Sequence, residues 1–336
     1  MPAPTMREVA QRAGTSTAVV SYVLNNGPRQ VAPATRERVL RAVTDLGYRP
    51  NTLARALRAR RTAMLAVVVP DLAKPYFAEL VRAVEDAAFA RGLRLLVGSS
   101  HFDPAREAAQ TGAFVDARVD GLLLVAAADP APALELLRAA RTPYLTLHRR
   151  LPGVPGGITG DDVDAGVQAT GHLLRHGHRV IACLSGERPD APVGARTAGY
   201  RAALRAAGIA VDRRLVVRCD YADLYEDARR KAAALLTRRP DITAVCATTD
   251  EHALGLMRAA TDLGRRVGAD LAVVSIGGTE LAGYLDPPLT AVTQPFGRLG
   301  RAAVADLLHL IDHPDQPRTG IRLPMSLVLG RSCGCP

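Results

Sequence analysis

A chain of 336 residues, 48% of them hydrophobic, has room for more than one domain, and with 4% aromatics and no tryptophan its cores must rest on aliphatic and alanine packing. Five cysteines without regular spacing exclude a disulfide framework, and the lack of a secretory apolar stretch or of a run of about 18 apolar residues excludes export and membrane spanning, which predicts a cytoplasmic protein. The formal charge of +10 is uneven: residues 1–61 carry 11 arginines, no lysine and 3 acids, a balance of +8, while the remainder, with 32 bases and 30 acids, is nearly neutral.

Thr5-Met6-Arg7-Glu8 has the form of a capping box, in which the threonine side chain accepts from the amide three residues on and the glutamate reaches back. Val9, Ala10 and Ala13 share one face of the short helix that follows, and Gly14 ends it, since glycine enters the left-handed region without steric cost. Ser16 is the next N-cap. Val20, Val23 and Leu24 then form a stripe at i, i+3 and i+4, leaving Ala18, Ser21, Tyr22 and Asn25 on the outward side and Thr17 in the exposed first turn. Two short helices joined by a glycine-containing turn, the second with a polar outer face, describe a helix-turn-helix. Pro33 opens a third helix, Val39, Ala42, Val43 and Leu46 are its apolar stripe, and Gly47 closes it; Ala32 is a poor cap, so that start is expected to be less firmly fixed. Residues 51–58, after Pro50, suffice for one or two helical turns, too few to stand alone, so the segment is expected to order only on binding. The arginine excess, including Arg55, Arg58, Arg60 and Arg61, coincides with this block, as an electrostatic footprint on nucleic acid should. The alternative is a three-helix structural domain with a solvated basic surface.

From Met64 the pattern changes to alternating strands and helices. Strands are predicted at Met64–Val69, Leu93–Val97, Gly121–Val125, Pro143–Leu147, Val180–Leu184, Leu215–Val217, Ile242–Ala247 and Ala272–Ile276, and near 289–293 and 321–329. Helices are predicted over 76–91, 104–116, 131–140, 164–176, 195–207, 225–237, 252–263 and 297–312. This alternation argues for parallel sheets with helices on both faces. The Gly/Pro-rich stretch Leu151–Gly160 separates two groups of strands and suggests two similar lobes, with a ligand cleft at the carboxyl ends of their strands.

Val9-Ala10, Ala13-Gly14, Ser16, Val20-Ser21, Val23-Leu24-Asn25, Thr35-Arg36-Arg38-Val39, Leu46-Gly47-Tyr48-Arg49-Pro50-Asn51 and Ala54-Arg55-Leu57 together resemble the start of a lactose-repressor (LacI/GalR) family regulator, without a gap. Asp71…Pro75-Tyr76-Phe77, Arg118-Val119-Asp120-Gly121, Gly177-His178-Arg179, Arg196…Gly199-Tyr200 and Pro288-Leu289-Thr290…Gln294-Pro295 extend the resemblance over nearly the whole chain. It implies a helix-turn-helix domain over 1–49, a hinge over 50–61, and a two-lobed body over 62–336 with the fold of the periplasmic sugar-binding proteins. The first lobe would hold about 62–160 and 293–319, the second about 161–292 and 320–336, with three crossings near 160, 292 and 319. It implies further that the second helix enters the major groove, with Thr17, Ala18 and Tyr22 reading bases. Thr5, Ser16, Ser21, Asn25, Tyr48, Asn51, Ala54, Arg55 and Arg58 complete the DNA-contacting set, and Leu57 would wedge into the minor groove at the dyad. Val19 departs from the usual threonine and removes a phosphate contact, and Ala18 offers only apolar contact, for instance to a thymine methyl.

Carried over in the same way, the effector cleft is lined by Tyr76, Phe77, His148 and Asp161, and from the second lobe by Arg196, Tyr221, Asp250, Thr279 and Gln294. Aromatics can stack on a ring, Arg196 can fork onto a hydroxyl or carboxylate, and Asp250 can accept hydroxyls. The alternatives are helix-start packing for Tyr76 and Phe77 and a salt bridge across a loop for Arg196 and Asp250. Thr279 and His148 stand where sugar-responding members often carry aspartate; the loss of two acceptors points away from a neutral sugar and toward a small polar, anionic or mixed effector. One helix-turn-helix reaches only a half-site, so the expected protein is a homodimer on a near-palindromic operator, most simply a repressor. The sequence is compatible with dimer or tetramer, and no heptad tail follows the last strand.

No glycine-rich phosphate loop and no G-x-S-x-G occurs, so no enzyme is expected, and no cofactor. Solute-binding proteins share the two lobes, and a binding protein without DNA regulation is the other reading; the N-terminal helix-turn-helix separates the two. His172, His176 and His178 have a spacing that could suit a metal, but His172 and His176 read as surface histidines at a helix end. Cys183, Cys219 and Cys246 are expected to be buried thiols, Cys333 and Cys335 to lie in a mobile tail, and no metal site is expected.

Overall fold

The computed structural model describes residues 4–25, 30–48, 61–126, 129–188, 192–221 and 223–335. The chain divides into two compact units, Met1–Thr62 and Ala63–Pro336.

Among the described residues the small unit has three helices, α1 (Met6–Arg12), α2 (Thr17–Asn25) and α3 (Pro33–Leu46). Thr5 and Glu8 close the capping box: the Thr5 amide donates to Glu8 Oε2 at 2.6 Å and the Glu8 amide donates to Thr5 Oγ1 at 3.3 Å. Gly14 and Gly47 both take φ 61°, the left-handed conformation that stops α1 and α3. The Ser16 hydroxyl accepts from the Val19 amide at 3.3 Å and so caps α2, whereas Ala32 offers α3 no side-chain cap. Val9, Ala10, Ala13, Val20, Val23, Val39, Ala42 and Tyr48 make the core. Arg38 Nε donates to the Ala13 carbonyl at 3.2 Å, satisfying a group the end of α1 leaves open.

In the large unit the first sheet has the order β2-β1-β3-β4, built from β1 (Met64–Val69), β2 (Arg94–Ser99), β3 (Gly121–Leu124) and β4 (Tyr144–Thr146), all parallel. Its helices are α4 (Pro75–Phe89), α5 (Pro104–Asp116) and α6 (Ala131–Ala139), joined by α11 (Phe296–Asp312) from later in the chain. Leu65 to Val69 are fully buried because the two faces of β1 serve two cores: Leu65, Val67 and Val69 pack with Leu80 and Leu299, and Ala66 and Val68 with Leu134 and Leu137.

The second sheet has the order β12-β10-β9-β8-β6-β7. Its strands are β6 (Ile181–Gly186), β7 (Val216–Cys219), β8 (Ala244–Ala247), β9 (Ala272–Gly277), β10 (Thr290–Thr293) and β12 (Ser326–Val328). Helices α7 (Asp162–Arg175) and α8 (Pro192–Ala206) cover one face, and α9 (Leu224–Arg238) and α10 (Asp250–Asp262) the other. Two short strands, β5 (Ile158–Gly160) and β11 (Ile321–Leu323), pair in parallel where the chain passes between the lobes. The chain crosses three times, after β5, after β10 and after β11. Helices α7 and α8 touch backbone to backbone: a Cβ added at Gly199 would lie 2.1 Å from the Val163 carbonyl oxygen, and one at Gly166 2.1 Å from that of Arg196. That closeness sets the position of Arg196.

Three expectations are corrected. The predicted strand near 321–329 is two strands, interrupted at Pro324 and Met325 by the last crossing, and its second half runs antiparallel to β10, so the second sheet is parallel except at that edge. The glycine-rich stretch before 160 holds β5, where a Cβ on Gly160 would meet Met325 Cε at 2.2 Å and displace the end of that side chain. The C-terminal residues are packed: Cys333 is buried in the core beside Tyr200 and Val292, and the Ser332 hydroxyl donates to the Val273 carbonyl at 2.6 Å. Cys183, Cys219 and Cys246 are buried free thiols. Among the described residues, no helix is long and apolar enough to cross a membrane.

Candidate functional site

A cleft lies between the two lobes at the carboxyl ends of their strands. The loop after β1 leads into α4 and presents Lys74, Tyr76 and Phe77; Phe102 follows β2, and His148 and Arg149 follow β4. From the second lobe come Arg188, Val193 and Arg196 after β6, Tyr221 after β7, Thr249, Asp250 and Glu251 after β8, and Gly277 and Thr279 after β9.

The first-lobe wall is aromatic. Tyr76 sits 5.2 Å from Phe77, 4.6 Å from His148 and 5.4 Å from Phe296 by ring centroids, and its hydroxyl shares a 2.7 Å hydrogen bond with His148 Nδ1. Burial, followed by the charges of Arg196 and Arg149, lowers the His148 pKa to about 3, so the imidazole is neutral at physiological pH. Burial likewise pushes the Tyr76 phenol far up. Phe102 meets Tyr221 across the cleft at 5.6 Å, Lys74 Nζ donates to the Tyr221 carbonyl at 3.5 Å, and the Glu280 amide donates to Glu79 Oε1 at 2.6 Å. These contacts hold the two lobes against each other.

The second-lobe wall is organised around Arg196. Its Nε donates to Asp162 Oδ1 at 2.8 Å, and its Nη1 donates to the carbonyls of Thr248 at 2.7 Å and Ile276 at 3.1 Å. The guanidinium is thereby fixed on three sides, while Nη2, also buried, has no protein partner. Burial raises the Asp162 pKa and the adjoining guanidinium opposes that rise. Asp250 is saturated: Oδ1 accepts from Ser275 Oγ (2.6 Å) and the Gly278 amide (3.1 Å), and Oδ2 from the Thr279 amide and hydroxyl (2.8 Å each). Its carboxylate therefore shapes the loop after β9, and the Thr279 hydroxyl is spent on it. Burial raises the pKa of Glu251.

Tyr76, Phe77, His148, Arg196, Tyr221, Asp250 and Thr279 thus line one cavity, while two expected members do not. Asp161 is the N-cap of α7, accepting from the Asp164 amide at 3.3 Å, and it is its neighbour Asp162 that pairs with Arg196 behind the cavity wall. Gln294 is buried at a crossing, its Oε1 2.8 Å from where a Gly160 Cβ would be. Lys74, Phe102, Arg149, Arg188 and Glu251 were not anticipated; Phe102 and Arg149 follow strands as Tyr76 and His148 do, and that rule applied to every strand would have found them.

In the small unit, Ser16, Thr17 and Ala18 are exposed at the start of α2, and Ser21 and Tyr22 are half-buried along it. Thr5 is committed to its capping box, and Tyr48, 8% exposed, packs in the core rather than standing on the surface. The Asn25 side chain and Asn51, Ala54, Arg55, Leu57 and Arg58 lie outside the described residues.

Residues 5–51 match the family model described as bacterial regulatory proteins, lacI family, and residues 170–333 match a periplasmic binding protein-like domain. The chain is 33% identical over 300 residues to the HTH-type transcriptional regulator DegA of Bacillus subtilis (strain 168), covering 88% of each protein. The chain belongs to the lacI family. Among solved structures, the lac repressor dimer bound to operator and the anti-inducer ONPF superposes with a TM-score of 0.86 at 28% identity, covering 99% of this chain and 100% of that one. The transcriptional regulator CelR–cellobiose complex superposes with a TM-score of 0.74 at 34% identity, covering 98% and 99%. As a lacI-family member, the protein is a DNA-binding transcriptional regulator with a helix-turn-helix domain and an effector-binding domain. The reading as a solute-binding protein without DNA regulation is not favoured, because the helix-turn-helix itself matches the family.

Proposed function

We propose that the protein is a homodimeric repressor, not an enzyme, which acts in the cytoplasm on a near-palindromic operator and releases or tightens its grip when a small, acceptor-rich polar effector enters the cleft. One head covers a half-site, so two-fold symmetry doubles the contact. The base-reading set is Thr17, Ala18 and Tyr22, and Leu57 is the minor-groove wedge. Domain boundaries near 49 and 61 separate head, hinge and body.

The observation that carries the effector class is Arg196 Nη2, a buried cationic donor without a protein partner in an aromatic-walled cleft. An unmet buried donor costs free energy, which a ligand oxygen would recover. Asp250 and Thr279 satisfy each other and His148 Nδ1 is taken by the Tyr76 hydroxyl, which leaves Glu251 as the main carboxyl free to accept from sugar hydroxyls. That balance favours a ring or chain bearing a carboxylate or similar anion over a neutral sugar. By linkage, an effector that weakens operator binding is itself weakened by operator.

The test has two stages. Selection from a random duplex pool defines the operator, and calorimetry then compares neutral pentoses, hexoses and disaccharides with the corresponding sugar acids. Binding of the acids, lost in Arg196→Lys and linked to a shift in operator affinity, is the expected result. Tight binding of neutral sugars alone would remove the anionic reading, and the absence of any preferred duplex would remove the regulator itself.

A further inference from the structure

The C-terminal end of α7 lies about 20 Å along the helix from Asp162, the residue that pairs with Arg196. Two histidines project there: His172, buried, and His176, exposed, one helical turn apart with ring centroids separated by 4.5 Å. The C-terminal tail returns onto the same spot. Cys335 Sγ lies 3.5 Å from His172 Nε2 and 3.3 Å from His176 Nε2. The ligand atoms of His172, Cys333 and Cys335 all fall within 4.8 Å of one another.

The two contacts can be hydrogen bonds, the thiol donating to one imidazole and its sulfur accepting from the N–H of the other, or edges of a shared metal centre; the presence of Cys333 Sγ in the same cluster favours the metal. Zinc binds sulfur at about 2.3 Å and imidazole nitrogen at about 2.0–2.1 Å, so the sulfur-to-nitrogen edge of a tetrahedral centre is roughly 3.5 Å. Both measured separations lie at that edge. We infer that His172, His176, Cys333 and Cys335 form a tetrahedral zinc site that fastens the C-terminal tail to α7.

The surroundings suit that chemistry. Gly334, between the two cysteines, takes φ 82°, a bend that leaves both sulfurs on one side. The Thr290 hydroxyl lies 3.1 Å from Cys333 Sγ and 3.0 Å from the Gly330 carbonyl oxygen, so its one proton can turn to a thiolate at Cys333. Two thiolates and a divalent ion sum to zero charge, which limits the cost of burying the centre. His178 stays outside the set, hydrogen-bonded to Thr243 Oγ1 at 2.9 Å. His309 and His313 repeat the one-turn spacing at the end of α11, with ring centroids 4.7 Å apart, but His309 bonds Gln316. That pair supplies an internal control.

The experiment uses the full chain, purified without a metal-affinity tag, loaded with zinc and dialysed. Elemental analysis is expected to find about one zinc per chain in the wild type and in His309→Ala. Cys335→Ser and His176→Ala, at positions outside the core, are expected to lose about tenfold or more of the retained metal. Cobalt(II) in place of zinc is expected to give the intense visible bands of a tetrahedral centre and a sulfur-to-cobalt charge-transfer band, the latter weakened in Cys335→Ser. Chelation is expected to lower the melting temperature of the wild type more than that of Cys335→Ser. A wild type that retains no zinc, or a Cys335→Ser variant that retains as much as the wild type, overturns the proposal.

Discussion

Arg196→Met is the most informative single change in the cleft. The Arg196 side chain is 3% exposed and that of Asp162 11%, and they meet at 2.8 Å, so the substitution strands a buried carboxylate and removes donors from the Thr248 and Ile276 carbonyls. Breaking a buried pair from one side costs about 3–5 kcal/mol, and a loss near the middle of that range is expected in urea unfolding. Asp162→Asn added to Arg196→Met should recover roughly half of the loss, since the amide does not have to stay charged, and the double-mutant cycle isolates the pair. The pH dependence has a definite sign. Burial already holds the Asp162 pKa above its ordinary value, and without the guanidinium it rises further. The native variant then binds a proton more readily than its unfolded chain, so the gap to wild type, measured at each pH, should narrow as the pH falls from 7 toward 5. A loss under about 1 kcal/mol, no recovery in the double variant, or a gap that widens in acid would refute the assignment of Arg196 and Asp162 as a coupled buried pair.

Burial lowers the pKa of His252 as well as that of His148 to about 3. The unfolded chain therefore binds protons that the native one refuses, and stability falls as the pH drops below the unfolded value near 6.5. Each histidine should cost roughly 2 kcal/mol between pH 7 and 5, measured by urea unfolding, and His148→Asn should remove about half of their joint slope; a slope unchanged in that variant would contradict the burial argument. At the other end of the chain, Leu57→Ala is expected to lose specific operator affinity while leaving non-specific affinity nearly intact, and an equal loss on both duplexes would reject the wedge. Operator affinity should also fall steeply with salt, as for roughly 6–10 phosphate contacts, and a flat response would contradict the arginine footprint.

The place of the cleft was legible because side chains just past the carboxyl ends of parallel strands face it; the resemblance supplied the residues, and Tyr76, His148, Tyr221, Asp250 and Thr279 all follow such strands. Asp161 failed by one residue. At a helix start the N-cap side chain turns back to the helix amides while the next residue points about 100° away, and only packing against α8 says which of two adjacent aspartates meets Arg196. The spending of Asp250 on Thr279 and Ser275 was invisible for a similar reason, since the partners are 25 to 29 residues apart and their bonds depend on the register of β8 and β9.

Caps, periodicity and charge act between near neighbours, so the amino-acid order alone determined the three-helix head, its arginine concentration and the alternating elements of the body. Relations across long stretches of chain were left to the tertiary structure: where the last strand breaks and reverses, why Gly166 and Gly199 must both be glycine, and that Cys335 comes to rest on His172. Those two residues are separated by 163 positions, and nothing in either neighbourhood specifies the other. They meet because β12 pairs antiparallel with β10 and Ser332 anchors the tail to β9, an outcome of whole-sheet packing rather than of local preference.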